Sequence, residues 1–374
     1  MREGVSDVKR LVLKLGTRVL TENDNTLSSS VLRRIVGEAA ELIRREKEIV
    51  IVSSGAIALG LSRIGLDRRP REINLLQAAA SLGQSRLMQA YETEFKSARC
   101  ETAQILLTLE DIQNRDRYLN IRNTILTLWE YGAVPIVNEN DTVSFEEITF
   151  GDNDILAAHL AIMIDADLLV LLTDIDGLYD RDPKSEQKAE IIKSVKRVDA
   201  DLIKSASGKG SSFSSGGMES KLRAAQIATR GGIGAVIANG KSIDLIGLLE
   251  GGEIGTFFVP AKKKIRGRKK WIAFNPNVEG KIIIDAGGER AITKNRKSLL
   301  PAGVIEIVGT FGMGSNVSIL NEKGREVARG LTNFSSGDLN RIKGLQTSRI
   351  GQVLGSGDYF EEVVHRDNMV VLQG

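Results

Sequence analysis

The chain has 374 residues, 42% of them hydrophobic, enough for two or three domains of about 150 residues each with full cores. Basic and acidic side chains nearly balance, 51 against 48, so overall charge gives no reason to expect nucleic acid or an anionic membrane, and any basic partner surface has to be local. The single cysteine, Cys100, excludes an internal disulfide framework and suits a reducing compartment.

The N-terminal MREGVSDVKR leads into a short apolar run broken by Lys14. This is neither a signal peptide nor a membrane span, and no later stretch reaches membrane length, so a soluble cytoplasmic protein is expected. Leu11 to Leu15 reads as a strand closed by Gly16-Thr17. Val31, Ile35, Val36, Ala39, Leu42 and Ile43 then recur at helical spacing between Ser30 and Glu46. Ile49 to Val52 repeats the strand, and Ser53-Ser54-Gly55-Ala56 opens a second helix. A long Ala/Leu-rich helix spans Asn74 to Phe95, followed by a strand at Gln104 to Leu107, a helix at Leu119 to Trp129 and a strand at Ala133 to Val137. Helix Ile155 to Ile164 and strand Leu168 to Leu172 continue the alternation. The Gly/Ser-rich segment Ser205 to Gly217 reads as a flexible loop before a helix from Met218 to Thr229, and Ala235 to Ala238 and Thr256 to Val259 are further strands. Such βαβα order predicts an α/β fold, a mostly parallel open sheet sandwiched by helices.

Residues 262 to 270, KKKIRGRKK, hold seven basic side chains in nine and mark a boundary. Beyond them, short β-branched runs at Lys281 to Ile284, Val304 to Val308, Val317 to Ile319, Val327 to Ala328, Val353 to Leu354 and Met369 to Leu372 alternate with Gly-rich turns. A small β-barrel-like domain is expected there.

Unusual polar residues concentrate between Val134 and Asp154. The strand at Ala133 to Val137 runs into Asn138, Glu139, Asn140 and Asp141, and Gly151-Asp152-Asn153-Asp154 opens the next helix. In open α/β sheets ligands bind beyond the carboxyl ends of strands, so this cluster is a candidate site. The residues alone leave open whether its carboxylates hold a metal, a cationic ligand group or act as a catalytic acid, against the plainer reading of Asx turns and a helix cap. Lys14, inside an apolar strand, calls for an anion to offset its burial. Gly16 and Gly55 each stand between a strand and a helix, where backbone N–H groups favour phosphate. Lys221, in the first turn of a helix behind a flexible loop, reads as a lid lysine. Neither a P-loop nor a dinucleotide fingerprint occurs, the histidines are poorly placed for catalysis, and one cysteine with no suitable histidine spacing argues against zinc.

Taken together, Leu11-Val12-Leu13-Lys14-Leu15-Gly16-Thr17, Val52-Ser53-Ser54-Gly55-Ala56, Val137-Asn138-Glu139-Asn140-Asp141, Phe150-Gly151-Asp152-Asn153-Asp154, Leu172-Thr173-Asp174 with Gly177-Leu178-Tyr179, and Gly216-Gly217-Met218 with Lys221 resemble the amino acid kinase superfamily, and within it the group that phosphorylates free glutamate. The tail resembles a PUA domain. The resemblance implies an amino acid kinase fold over residues 1–261, a basic linker over 262–275 and the PUA domain over 276–374. It also implies ATP-dependent phosphorylation of the γ-carboxylate of L-glutamate to L-glutamyl 5-phosphate, the first step of proline biosynthesis from glutamate, with Mg²⁺. N-acetylglutamate kinase and UMP kinase are the neighbouring alternatives.

By the same resemblance, Lys14, Lys221 and Asp154 are catalytic, with Asp154 orienting the lysines or facing Mg²⁺. Ser54, Gly55, Asn138, Asp141, Asp152 and Asn153 would bind substrate. Lys14, Gly16, Thr173, Asp174, Ser215, Gly216, Gly217, Met218, Glu219, Ser220 and Lys221 would bind ATP, with Ser215 and Glu219 departing from the small polar residues usual in the lid. Proline is implied as an inhibitor and a homo-oligomer, dimer or tetramer, as the assembly. RNA binding through the PUA domain is the rival from another class, disfavoured because the kinase residues Lys14, Asp154 and Lys221 are intact and few aromatics flank the basic run.

Overall fold

The run Arg10–Leu15 forms strand β1, with every residue after Arg10 buried, as expected of a near-continuous apolar strand inside a parallel sheet. The computed structural model describes residues 5, 7–66, 68–143, 153–181, 189–207, 217–261, 268–355 and 360–372. The chain divides into two compact units, Met1–Lys264 and Ile265–Gly374.

In the first unit, β1 is followed by α1 (Thr17–Leu20), α2 (Ser29–Arg44), β2 (Glu48–Ser53), α3 (Ala56–Arg63), α4 (Ile73–Ser97) and β3 (Glu101–Leu107). Next come α5 (Leu109–Gln113), α6 (Arg115–Glu130), β4 (Ala133–Glu139), α7 (Asn153–Met163) and β5 (Leu168–Thr173). The unit continues through β6 (Ser194–Val195), α8 (Ala200–Ser207), α9 (Gly217–Arg230), β7 (Gly234–Asn239), α10 (Leu245–Leu249) and β8 (Thr256–Phe258). Side-chain caps set two helix starts that apolar spacing leaves out. Thr108 and Asp111 form a reciprocal capping box on α5, and the Asn114 side chain accepts from the Asp116 and Arg117 amides, so α6 begins well before Leu119. Ser205 to Ser207, expected in a loop, instead close α8.

The eight strands lie in the order β3-β4-β2-β1-β5-β7-β8-β6. Neighbours pair in parallel except β7 with β8. From β1 the sheet grows through β2 and β4 on one side and through β5 and β7 on the other, which puts a topological switch point between the carboxyl ends of β1 and β5. Leu11, Leu13 and Leu15 of β1 pack in one core with Ile35 and Leu42 of α2 and Tyr91 and Phe95 of α4. Each such side chain contributes roughly 1.5–3 kcal/mol by leaving water.

Helices α3 and α4 meet backbone to backbone. A Cβ added at Gly60 would lie 1.8 Å from the Ala79 carbonyl oxygen, and one added at Gly83 would lie 1.7 Å from that of Ala56. Only glycine fits at either position, and the pair locks α4 against the start of α3.

The second unit contains α11 (Arg268–Phe274), β9 (Gly280–Ile284), α12 (Ala286–Thr293), β10 (Val304–Val308), β11 (Asn316–Asn321), β12 (Glu326–Leu331), α13 (Ser336–Ile342), α14 (Ile350–Leu354) and β13 (Met369–Val371). Its five-stranded mixed sheet runs β10-β9-β11-β12-β13, around a separate core that includes Ile282, Ile319, Leu339 and Val364. Val353 to Leu354, expected as a strand, belongs to α14. Val353 is the one β-branched residue of the pair, Leu354 is a good helix former, and the helical turn begun at Ile350 is anchored by that residue's buried side chain. Within the basic segment, residues from Arg268 form α11, where Trp271, Ile272 and Ala273 are buried beneath the charge run; residues 262–267 lie outside the described residues.

Candidate functional site

Lys14 occupies the penultimate position of β1, beside Val52 of β2 and Leu171 of β5, at the switch point. Strand alternation turns it away from the Leu13 and Leu15 side of the sheet. There it meets Asp154 in the first turn of α7 and Lys221 in α9. Lys14 Nζ lies 2.7 Å from Asp154 Oδ1, and Lys221 Nζ lies 3.0 Å from Asp154 Oδ2. Lys221 also donates to the Gly217 carbonyl at 3.0 Å, and the Ser220 hydroxyl to Asp154 Oδ2 at 3.1 Å. The three residues are 6%, 3% and 8% exposed, for Lys14, Asp154 and Lys221 in turn, so water does little to screen them. Burial alone would push the Asp154 carboxyl up. The two neighbouring ammonium groups outweigh that and hold it at about 2. Two cations on one anion leave a net positive charge in a nearly dry place, which favours an anion.

A second group of polar side chains lies along the ends of β2 and β4. Asn153, the residue before Asp154, donates from Nδ2 to Ser54 Oγ and to Asn138 Oδ1, both at 3.0 Å. Asn138, buried at the end of β4, donates to Gln84 Oε1 of α4 at 2.8 Å. Below this row the buried Tyr91 hydroxyl donates to Ser53 Oγ at 2.9 Å. Gly55 caps α3 at φ +106°, a left-handed conformation that strains any side chain. Asp141 sits half-buried in the turn after β4, where Thr142 touches Ser81 of α4.

Gly16 differs from the expectation of a phosphate-donating amide. Its N–H is taken by the Leu172 carbonyl of β5 at 3.1 Å. Its contribution is space: a Cβ there would stand 3.2 Å from that carbonyl oxygen and 3.9 Å from Lys14 Nζ. Thr173 and Asp174 lie at the end of β5. The Thr173 hydroxyl donates to Asp174 Oδ1 at 3.1 Å, and Arg18 reaches Asp174 Oδ2 at 3.2 Å. Burial pushes the Asp174 carboxyl up, but its own backbone amide, Arg18 and Thr173 bring it below its ordinary value. Gly217, Met218, Glu219 and Ser220 form the first turn of α9, and Glu219 pairs with Arg223 at 2.7 Å along the helix. Asp152, Ser215 and Gly216 lie outside the described residues.

Lys14, Asp154, Lys221 and Ser220 therefore come together, as do Ser54, Asn138 and Asn153. Gln84, Arg18 and the Tyr91–Ser53 pair escaped sequence reading. The one hint at Gln84 was its place beside Gly83 in the small-residue stretch from Ala78 to Gly83, where close packing is expected. Among the described residues no group of three or more His, Cys, Asp or Glu side chains is arranged to hold a metal ion, and none of their helices is long and apolar enough to cross a membrane.

The amino acid kinase family model matches residues 9–239, and the PUA domain model residues 280–354. A glutamate 5-kinase of Thermoanaerobacter sp. (strain X514) is 44% identical over 365 residues, covering 97% of this chain and 98% of its own length. That of Moorella thermoacetica is 45% identical over 372 residues, 99% of this chain and 98% of its own. That of Carboxydothermus hydrogenoformans is 45% identical over 373 residues, 100% of both chains.

Proposed function

This chain belongs to the amino acid kinase family, and within it to the glutamate 5-kinases, and from that membership we propose that it transfers the γ-phosphoryl group of ATP to the side-chain carboxylate of L-glutamate. The product, L-glutamyl 5-phosphate, begins proline biosynthesis from glutamate. The observation that carries the mechanism is the buried cluster of Lys14, Asp154 and Lys221. A carboxylate nucleophile is already ionised at neutral pH, so no base has to remove a proton. What the reaction needs is alignment and neutralisation of the charge that spreads over the transferred group. Lys14 from the sheet and Lys221 from α9 supply that charge in a site whose low dielectric makes it count. Asp154, with one oxygen on each ammonium, orients the two lysines and stays ionised.

Magnesium, which accompanies ATP in kinases, finds no protein cage among the described residues, and both Asp154 oxygens already face cations. Thr173, Asp174 and the first turn of α9, with Ser215 and Gly216 before it, are proposed to hold the nucleotide. Gly16 keeps the approach to Lys14 clear. Ser54, Gly55, Asn138, Asp141, Asp152 and Asn153 are proposed to hold glutamate, and proline to compete there. We further propose a kinase domain over 1–261, a linker over 262–275, a PUA domain over 276–374 for which RNA binding is the less favoured role, and a cytoplasmic homo-oligomer, dimer or tetramer.

Hydroxylamine traps an acyl phosphate as a hydroxamate. ATP-dependent hydroxamate is expected with glutamate, and little with N-acetylglutamate or aspartate. In the same assay Lys14→Ala should lower kcat by about 10²–10³-fold, the usual cost of removing one preorganised charge-stabilising group. No product with glutamate would overturn the assignment.

A further inference from the structure

We propose that Gln84, which no motif of the chain marks, binds the α-carboxylate of glutamate through Nε2 while Asn153 Oδ1 receives the α-ammonium; this rests on the reading of the chain as a glutamate kinase. One backbone amide fixes the direction of the whole relay. Glu139 N–H donates to Asn138 Oδ1 at 2.8 Å, and Asn153 Nδ2 donates to the same oxygen at 3.0 Å. An Asn138 amide held by two donors cannot be turned over, so its nitrogen is the group that meets Gln84, and Gln84 must present its oxygen there. The Gln84 nitrogen then points away from Asn138. At the other end, Asn153 uses its nitrogen on Ser54 and Asn138, which leaves its oxygen over.

Those two remaining atoms, Gln84 Nε2 and Asn153 Oδ1, are buried and have no hydrogen-bond partner among the described residues. Each such atom costs about 1–3 kcal/mol unless something binds it. One is a donor and one an acceptor, at opposite ends of a single relay. The ligand that answers both presents an acceptor and a donor close together, as the carboxylate and ammonium on the α-carbon of a free amino acid do. The reach also fits. Asn138 on β4 and Lys14 on β1 are separated by β2, two strand spacings or about 10 Å across the sheet. A five-carbon dicarboxylate hydrogen-bonded at both ends spans such a gap; aspartate, one carbon shorter, falls short, and an N-acylated glutamate has lost the ammonium. Gln84 is held in place by the glycine crossing next to it, since Gly83 rests on Ala56, two residues after Ser54.

Gln84→Glu is the discriminating variant, because it keeps an oxygen for Asn138 and replaces only the free donor with a repelling oxygen. The KM for glutamate should rise about 10- to 100-fold, the cost of a lost charge-assisted hydrogen bond, with the KM for ATP within about twofold. The α-amide of L-glutamate, whose carboxamide can donate to the new carboxylate, should gain at least about tenfold relative to glutamate in kcat/KM compared with wild type. Gln84→Met should raise the glutamate KM without that gain, and its KM decides the matter if the glutamate variant does not fold. An unchanged glutamate KM, an equal rise in the ATP KM, or no shift toward the α-amide in a folded Gln84→Glu would overturn the assignment. Wild-type protein that forms no γ-glutamyl hydroxamate would overturn the functional reading itself, whereas active wild type with indifferent variants overturns only the role of Gln84.

Discussion

At the scale of the residue, Asp154 carries two loads: it offsets the burial of two ammonium groups and it aims them. Its carboxyl is held at about 2, below its ordinary 3.8. A depressed value means that its contribution to stability is complete above pH 3.8 and is lost as pH falls through about 2. Asp154→Asn should therefore flatten the acid limb of the unfolding free energy between those values. At neutral pH the variant should be less stable by about 3–5 kcal/mol, the usual cost of leaving buried charges without their partner. Denaturant titrations across that pH range check both. Lys14 was legible in the sequence because a charge breaks an otherwise apolar strand, and Asp154 because it ends the polar group that opens a helix. The role of Gly16 was not, because nothing local shows that the Leu172 carbonyl of a distant strand takes its amide.

At the scale of the element, the crossing of α3 and α4 is what joins Gln84 to the Ser54 loop. Gly83→Ala has to separate the two helices, since the added Cβ would stand 1.7 Å from a backbone oxygen. Overpacking of this kind costs about 1–3 kcal/mol or more, and here it should also raise the glutamate KM. Gly37→Ala on the exposed face of α2, where a Cβ meets nothing within 4 Å, is the control and should be neutral or stabilising. Melting temperatures and steady-state kinetics of the two variants separate these outcomes. Most strands and long helices could be read from apolar periodicity, since β1, β5, α2 and α4 bury continuous runs or one face. The start of α6 depends on the Asn114 cap, and α11 on three apolar residues hidden among lysines and arginines. The pairing of Asn138 with Gln84 joins residues 54 positions apart and leaves no local trace.

At the scale of the whole molecule, the two units bury separate cores, and every described residue proposed for the reaction lies in the first. Ile319→Ala opens a cavity in the core of the second unit and should cost that unit about 2–5 kcal/mol. Calorimetry should show the loss, while kcat and both KM values of the kinase stay near wild type. The family of the first unit was readable because six motifs fall in order along it; the mixed sheet of the second was only partly readable, because its helices interrupt short strands.

The charged cluster has one more consequence, for the order in which the chain is made. Lys14 lies on β1, Asp154 on α7 and Lys221 on α9. A ribosome releases them in that order, at about 5–20 residues per second. While the segment up to α7 is out and α9 is not, the chain holds the opposite charges of Lys14 and Asp154 and lacks the lysine that leaves a surplus. The second lysine arrives late, after most of the described strands of the sheet, so the surplus positive charge of the cluster is completed only then.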